Sequence, residues 1–458
     1  MKAVLIAGDR SGSGKTSITL ALSALLAQEK NVQTFKVGMD YIDPSYLTAA
    51  SGRPCRNLDS FTMDTATIKN IFSNGCRGAD LAIVEGVRGL YEGAEAIGDT
   101  GSTASIAKIL DLPVVLVVSA RSITRSAAAI VRGFQTFDPK VRIAGVILNN
   151  IKGDSHREKA VAATEHFCKI PVIGAIPRTG EMELAMRHLG LVPFREGAQN
   201  EEFRRRIEIV TQIIGDHVDL DRFRSSMKEC AVKKKTPEIF RRNTQADVRI
   251  GLALDEAFNF YYADLFDLMP ALGADVVPFS PIHDRLPEAD GYIIGGGYPE
   301  FFLPGLEANE RVRSSLREVS SNGTPVYAEC GGLMYLTDRI RIAKDRDGNA
   351  VERSAEMCGI FSGETRIPAR RVVSYVEGSG SRKSPFGAGR FRGHEFHYSD
   401  VVLANDTEYA YRLSRGTGIR DNYDGALFRN TLGSYTHLHP MASRGMFARF
   451  VDLCRKKA

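Results

Sequence analysis

Residues 2–17 read KAVLIAGDRSGSGKTS, and this stretch decides the fold of the first half of the chain. Residues 2–7 form a short apolar run of strand type, and residues 15–28 show helical spacing with many alanines. Between them lies a glycine-rich turn that ends in Gly-Lys-Thr. Strand, glycine turn and helix together make a phosphate-binding loop. Gly12 and Gly14 let backbone N–H groups point inward with Ser13, Lys15 reaches the β- and γ-phosphates, and Thr16, followed by Ser17, offers a hydroxyl to magnesium. Asp9 stands where the GxxxxGK[ST] pattern has its first glycine, and Gly8 lies one position earlier. The predicted ligand is ATP.

Outward from this loop, β-branched runs recur at residues 32–36, 81–85, 114–118 and 143–148, separated by helical patterns. That rhythm predicts βαβ units and a mainly parallel sheet flanked by helices. The carboxyl ends of such strands converge on the phosphate loop. FKVGMDYIDP places Lys36, Asp40 and Asp43 there, and LAIVEGVRGLYEG places Glu85 and Arg88. The carboxylates suit Mg²⁺, and Lys36 and Arg88 suit charge on a transferring phosphoryl group. The alternative for Asp40 or Asp43 is that it merely caps a helix or binds surface water. Asn149 and Asn150 close GVILNN, where an amide can read a nucleobase edge or make a turn.

The second half carries VYAECGGLMYL at residues 326–336 and GSYTHLHP at residues 433–440. Cys330 follows a β-rich run and precedes two glycines and a helical pattern, the layout of a nucleophile elbow. His437 is the candidate base. The other six cysteines, at 55, 76, 168, 230, 358 and 454, are scattered without a CxxC pair, so neither zinc nor a disulfide framework is expected.

With 458 residues, two domains are expected. The expected bounds are 1–225 for an ATP-binding domain, 226–247 for a linker containing Lys233, Lys234 and Lys235, and 248–458 for a second α/β domain. Lys plus Arg number 60 against 55 Asp plus Glu, a net charge of +5 that does not call for nucleic acid. No apolar run reaches the length of a membrane span, and the N-terminus enters the phosphate loop rather than a cleavage segment. The expected location is cytoplasmic.

These motifs run in order along nearly the whole chain, and the chain resembles the cobyrinate a,c-diamide synthase family. GDRSGSGKTS, FKVGMDYIDPSYLTAASGRPCRNLD, VEGVRGLYEG, DTGSTASIAKIL and GVILNN resemble dethiobiotin synthetase. ALDEAFNFYY, FSPIHDRLPEADGYIIGGGYPE, YAECGGLMYL, RGHEFHYS and GSYTHLHP resemble class I glutamine amidotransferases, with their flavodoxin-like fold. The displaced Gly8 also fits dethiobiotin synthetase-like loops.

The resemblance implies ATP- and glutamine-dependent amidation of two carboxylates on a tetrapyrrole, cobyrinate or Ni-sirohydrochlorin. It implies Cys330 as nucleophile, His437 as base, Gly296 and Gly297 of the loop after GYII as oxyanion hole, and Lys36 on the phosphorylated carboxylate. Asp40, Tyr41 and Arg88 are implied on the substrate, Gly12 to Ser17 and Asn149 on ATP, and Thr16, Asp43 and Glu85 on Mg²⁺. The expected partners are ATP, L-glutamine and the tetrapyrrole polycarboxylate, with a second copy of the chain as a candidate. Arg88, in place of a more frequent Met, inclines the reading toward the nickel substrate.

One departure from the wider amidotransferase class is that His439 occupies the position, two after the catalytic His, where a Glu is usual. His437 must then be oriented by another group, a backbone carbonyl or Glu395. Rival readings are a cobyric acid synthase-type amidase, a ParA-like ATPase and a non-catalytic scaffold. The first should differ after Lys36, and the other two have no use for Cys330 and His437.

Overall fold

The computed structural model describes residues 1–180, 201–231, 235–242, 246–344 and 349–456. The chain divides into two compact units, Met1–Pro237 and Glu238–Ala458.

The first unit is built on a sheet of order β3-β2-β4-β1-β5-β6-β7. Its strands are β1 (Lys2–Gly8), β2 (Val32–Val37), β3 (Arg56–Leu58), β4 (Leu81–Gly89), β5 (Val114–Ser119), β6 (Ile143–Ile151) and β7 (Val172–Pro177). All of these pair in parallel. Burial on both faces explains their continuous apolar runs, such as VVLVV in β5, whose five residues are fully buried. The core joins β1, β4 and β5 to the helix α1 (Lys15–Ala27) through Ile18, Leu22 and Leu26. Strand order reverses around β1, with β4 on one side and β5 on the other, so the loop after β1 opens at a topological switch point.

The expected linker is partly built into this unit. Lys228–Glu229 forms a strand, β8, antiparallel to Lys2 and Ala3 of β1. Pairing of β1 with β5 begins only at Leu5, which leaves the backbone of residues 2 and 3 open on that side for β8. Phe240 is buried in the second unit, while Lys233 and Lys234 lie outside the described residues.

The second unit has a sheet of order β10-β9-β11-β12-β21-β20-β19-β16-β17. The parallel part comprises β9 (Val248–Ala253), β10 (Ala274–Phe279), β11 (Gly291–Ile294), β12 (Val326–Glu329) and β21 (Thr431–Ser434). Antiparallel pairing extends it through β20 (Tyr423–Phe428), β19 (Glu408–Arg415), β16 (Val372–Gly380) and β17 (Gly389–His397). A smaller four-stranded sheet holds β13 (Thr337–Lys344), β14 (Ala350–Glu356), β15 (Phe361–Ile367) and β18 (Asp400–Leu403). The fold class is α/β in both units. Among the described residues no helix is long and apolar enough to cross a membrane.

Candidate functional site

In the first unit the loop between β1 and α1 takes the shape that its glycines permit. Gly12 and Gly14 have φ of 76° and 95°, a left-handed backbone that costs other residues energy. A Cβ on Gly8 would come within 2.4 Å of Ser13 Oγ, which accounts for a glycine here rather than at position 9. Asp9 is instead buried and accepts Arg10 Nη2 at 2.7 Å. Lys15 opens α1, and burial together with the charge of Lys36 lowers its pKa.

Four side chains converge beside this loop. The register of β2 on β4 sets Lys36 opposite Glu85. Lys36 Nζ lies 2.8 Å from Glu85 Oε1, 2.5 Å from Asp43 Oδ2 and 3.9 Å from Asp40 Oδ2. Thr16 Oγ1 donates to Glu85 Oε1 at 2.7 Å and is 3.4 Å from Asp43 Oδ2. Burial disfavours the Lys36 charge, but Asp43, Glu85 and Asp40 raise its pKa overall. Burial also raises Glu85, whereas Lys36 outweighs burial at Asp43 and holds it low. Asp40 is pushed up to about 7 by burial and by the charge of Asp43. Asp40 also takes the helix-capping role: its Oδ1 accepts the N–H of Ile42 at 2.8 Å and of Asp43 at 3.2 Å, opening helix α2 (Ile42–Ser51).

Tyr41 is half-buried at the N-cap of α2. Arg88 is exposed near the end of β4, with φ of 48°, and its carbonyl lies beside Gly8.

Asn149 reaches the phosphate loop from β6. Its Nδ2 donates to Ser13 O at 2.8 Å, its Oδ1 accepts the Asn150 N–H at 2.8 Å, and it is buried. These two bonds tie the amide to the phosphate loop, and an amide with two N–H donors and two oxygen lone pairs is not used up by them. Asn150, with φ of 64°, lies within β6 where its register on β7 shifts between Leu148 and Ile151.

In the second unit Cys330 follows β12 directly and is an elbow in fact: φ is 46° and ψ is −99°. Such strain in a non-glycine residue marks functional turns. The glycines after it allow close approach. A Cβ on Gly332 would meet Ile294 O at 2.3 Å, and one on Gly331 would meet Gly297 N at 3.1 Å. Gly297 itself has φ of 155°, and a Cβ there would lie 2.0 Å from Ala257 O. Gly297 and Gly331 are therefore closely packed, and Gly297 lines the same pocket as Cys330. Gly331 directly follows the nucleophile, a position that in an elbow commonly supplies an oxyanion-hole N–H and that the sequence reading did not single out. Gly296 packs against the base: a Cβ built on it would be 2.7 Å from His437 Cε1.

His437 arrives by topology. β12 and β21 are parallel neighbours with Glu329 opposite Ser434, so the residues after both strands meet at the sheet's carboxyl end. Cys330 N–H donates to Ser434 O at 2.7 Å. The His437 backbone bridges His394, and their rings stack at 4.8 Å. Burial opposes an imidazolium at His437, but its side-chain hydrogen bonds to Cys330 and Glu329 push its pKa up to about 10. An imidazolium beside a thiol favours the thiolate. Phe260, Gly297, Tyr298, Phe396 and Tyr398 line the pocket that Cys330 faces.

The carboxylate beside His437 is not Glu395. Both Glu395 oxygens accept the N–H of Thr417, at 3.2 and 3.0 Å, and Oε1 also takes that of Gly418 at 2.8 Å. Glu329 is the neighbour, with Oε2 3.4 Å from His437 Nδ1. His439 turns away, its Nε2 3.6 Å from Asp264 Oδ2.

An ATP-type phosphate loop in one unit and a paired Cys and His at an elbow in the other define a class: ATP-dependent, glutamine-hydrolysing amidoligases. Residues 4–192 match the CobQ/CobB/MinD/ParA nucleotide binding domain, and residues 249–445 match the CobB/CobQ-like glutamine amidotransferase domain. The cobyrinate a,c-diamide synthase of Methanosarcina acetivorans is 49% identical, over 99% of this chain and 95% of the relative. Those of Methanosarcina barkeri and Methanothermobacter thermautotrophicus are 47% and 43% identical, over 99% and 98% of this chain and 96% and 98% of theirs. The chain belongs to the cobyrinate a,c-diamide synthase family.

Proposed function

We propose that the chain amidates the a and c carboxylates of a tetrapyrrole, with cobyrinate as substrate. The observation that carries the reading is the placement of Lys36, a buried cation held by three carboxylates and one residue network away from the phosphate-loop Thr16. A carboxylate does not condense with ammonia in water, so it must first be activated. The substrate carboxylate oxygen attacks the γ-phosphorus of ATP, ADP leaves, and an acyl phosphate forms. Ammonia then attacks the acyl carbon, and phosphate departs with the C–O electron pair. Lys15 and Lys36 offset charge on the moving phosphoryl group, and Asp40 and Tyr41 would contact the substrate.

The residues present fit magnesium. Glu85 Oε2 is buried with no hydrogen-bond partner among the described residues, and Thr16 Oγ1 lies between Glu85 and Asp43. Among the described residues no three His, Cys, Asp or Glu side chains are grouped to hold a metal alone. Thr16, Asp43 and Glu85 would hold the magnesium, and it would neutralise phosphate charge.

In the second unit the Cys330 thiolate attacks the glutamine Cδ, with the amides of Gly297 and Gly331 facing the developing oxyanion. His437 protonates the departing ammonia and then takes a proton from the water that cleaves the thioester. Ni-sirohydrochlorin is a second reading, favoured by the exposed Arg88, whose backbone carbonyl lies beside Gly8 of the phosphate loop. The test is mass spectrometry of each macrocycle after incubation with ATP and glutamine. Replacement of two hydroxyls by amino groups supports the reading, and an unchanged cobyrinate and Ni-sirohydrochlorin overturn it.

A further inference from the structure

The position two residues after His437 is filled by His439, which faces Asp264, so the base lacks its usual acidic partner in sequence. The structure supplies one from the opposite direction. Glu329 immediately precedes the nucleophile, at the end of β12, and is buried. Its two oxygens have different tasks. Oε1 accepts the Leu438 N–H at 3.0 Å and the Tyr327 hydroxyl. Tyr327 lies two residues earlier on the same strand face and is caged by Phe386, Phe447 and Phe450. With Oε1 pinned on two donors, Oε2 is left facing His437 Nδ1 at 3.4 Å.

We infer that Glu329 is the positioning residue of the glutaminase site: it holds the proton on His437 Nδ1, leaves Nε2 for the Cys330 thiol, and stabilises the imidazolium. The usual third member is thereby replaced by the residue before the nucleophile, with Tyr327 as its support. Strand geometry permits this because Cys330 breaks the pleat with φ of 46°, so adjacent residues 329 and 330 both reach His437.

The remaining titratable groups around the pair do not substitute for it. His394 stacks on the His437 ring from β17, and burial lowers its pKa well below the ordinary value. His397 is lowered to about 4 by burial, so both are neutral where the site works. Glu395 is engaged with the amides of Thr417 and Gly418. Tyr261 and Tyr411, which feel the Glu329 charge, are buried phenols with pKa values pushed up.

The inference rests on Cys330 and His437 hydrolysing glutamine, so Cys330-dependent glutaminase activity of the wild type is measured first; its absence would sink that reading instead. The test proper is the rate of Cys330 alkylation by iodoacetamide against pH, in wild type, Glu329→Gln and Glu329→Asp. In Glu329→Gln the acid-limb midpoint should rise by at least about one pH unit, because a tenfold bias toward the ion pair is lost. Glutamine hydrolysis should lose at least about tenfold in kcat with KM little changed. Glu329→Asp should restore most of the midpoint. A uniform fall in rate at every pH, with the midpoint unmoved, would show that Glu329 only staples the His437 loop and would overturn the inference. A second measurement needs no variant at position 329. In ¹⁵N-histidine-labelled protein, with the His437 signal assigned by its loss in His437→Asn, Nδ1 should carry a proton; an unprotonated Nδ1 would overturn the inference as well.

Discussion

Replacing Lys36 with Met keeps the length of the side chain and removes one charge from a box of three carboxylates. Glu85 is fully buried, Asp43 is 15% exposed, and both contact Lys36 directly. Removing one partner of such a buried network costs about 3–5 kcal/mol because the other charges are left uncompensated. For a unit of this size that corresponds to a melting temperature lower by roughly 6–20 °C.

The pH dependence carries the sign. In wild type, Asp43 is held low by Lys36, so its contribution is present above the unfolded value and is lost only as pH falls through its still lower folded value. Without Lys36, burial and mutual repulsion raise Asp43 and Glu85 above their unfolded values. The folded variant then binds more protons than the unfolded chain, and its stability falls as pH rises through that window. The deficit should be largest near pH 7.5 and shrink toward pH 5. Hydrogen-exchange mass spectrometry of the β2 and β4 peptides, alongside melting curves at several pH values, reads this directly. Tetrapyrrole amidation should be lost while glutamine hydrolysis persists. A variant that melts within about 2 °C of wild type, or a deficit independent of pH, would refute the reasoning.

Other consequences are local. Gly332→Ala places a Cβ 2.3 Å from the backbone oxygen of Ile294, which cannot swing away; overpacking of about 1–3 kcal/mol and loss of glutaminase activity are expected, read by melting and by glutamate release. Burial depresses His397 to about 4, so the stability it confers is complete above an unfolded value near 6.5 and drains away as pH falls toward 4. His397→Gln should therefore flatten the acid side of a stability-versus-pH curve, and an unchanged slope would contradict the burial argument. Arg88→Met should leave glutaminase activity intact and lower kcat/KM for the tetrapyrrole, more for Ni-sirohydrochlorin than for cobyrinate if Arg88 pairs with a carboxylate of the macrocycle.

Local signals carried the phosphate loop and the elbow. Gly12, Gly14, Lys15 and Thr16 act within one turn of chain, and Cys330 with Gly331 and Gly332 likewise, so spacing alone revealed them. What sequence could not reveal depends on which strands become neighbours. Lys36 and Glu85 are 49 residues apart and meet only through the β2–β4 register. Glu329 reaches His437 only because β12 and β21 lie side by side. Asn149 lies near the end of β6, and its bond to Ser13 O, 136 residues away in sequence, follows only from the path of the phosphate loop. The antiparallel strands β16, β17 and β19 escaped notice because their sequences, VVSYVEGSG, GRFRGHEFH and EYAYRLSR, mix charged and apolar residues without a sustained apolar run. The Lys228–Glu229 strand was hidden in a charged stretch that reads as linker.

The measurement that tests the central claim most directly compares wild type with Cys330→Ala on cobyrinate and ATP, with glutamine or ammonium as nitrogen source, followed by mass spectrometry. Wild type should form the diamide with either source, and Cys330→Ala should form it with ammonium alone. Diamide formed by Cys330→Ala from glutamine, or none formed by wild type from ammonium, would contradict the account of an ATP-activating site supplied with ammonia by Cys330.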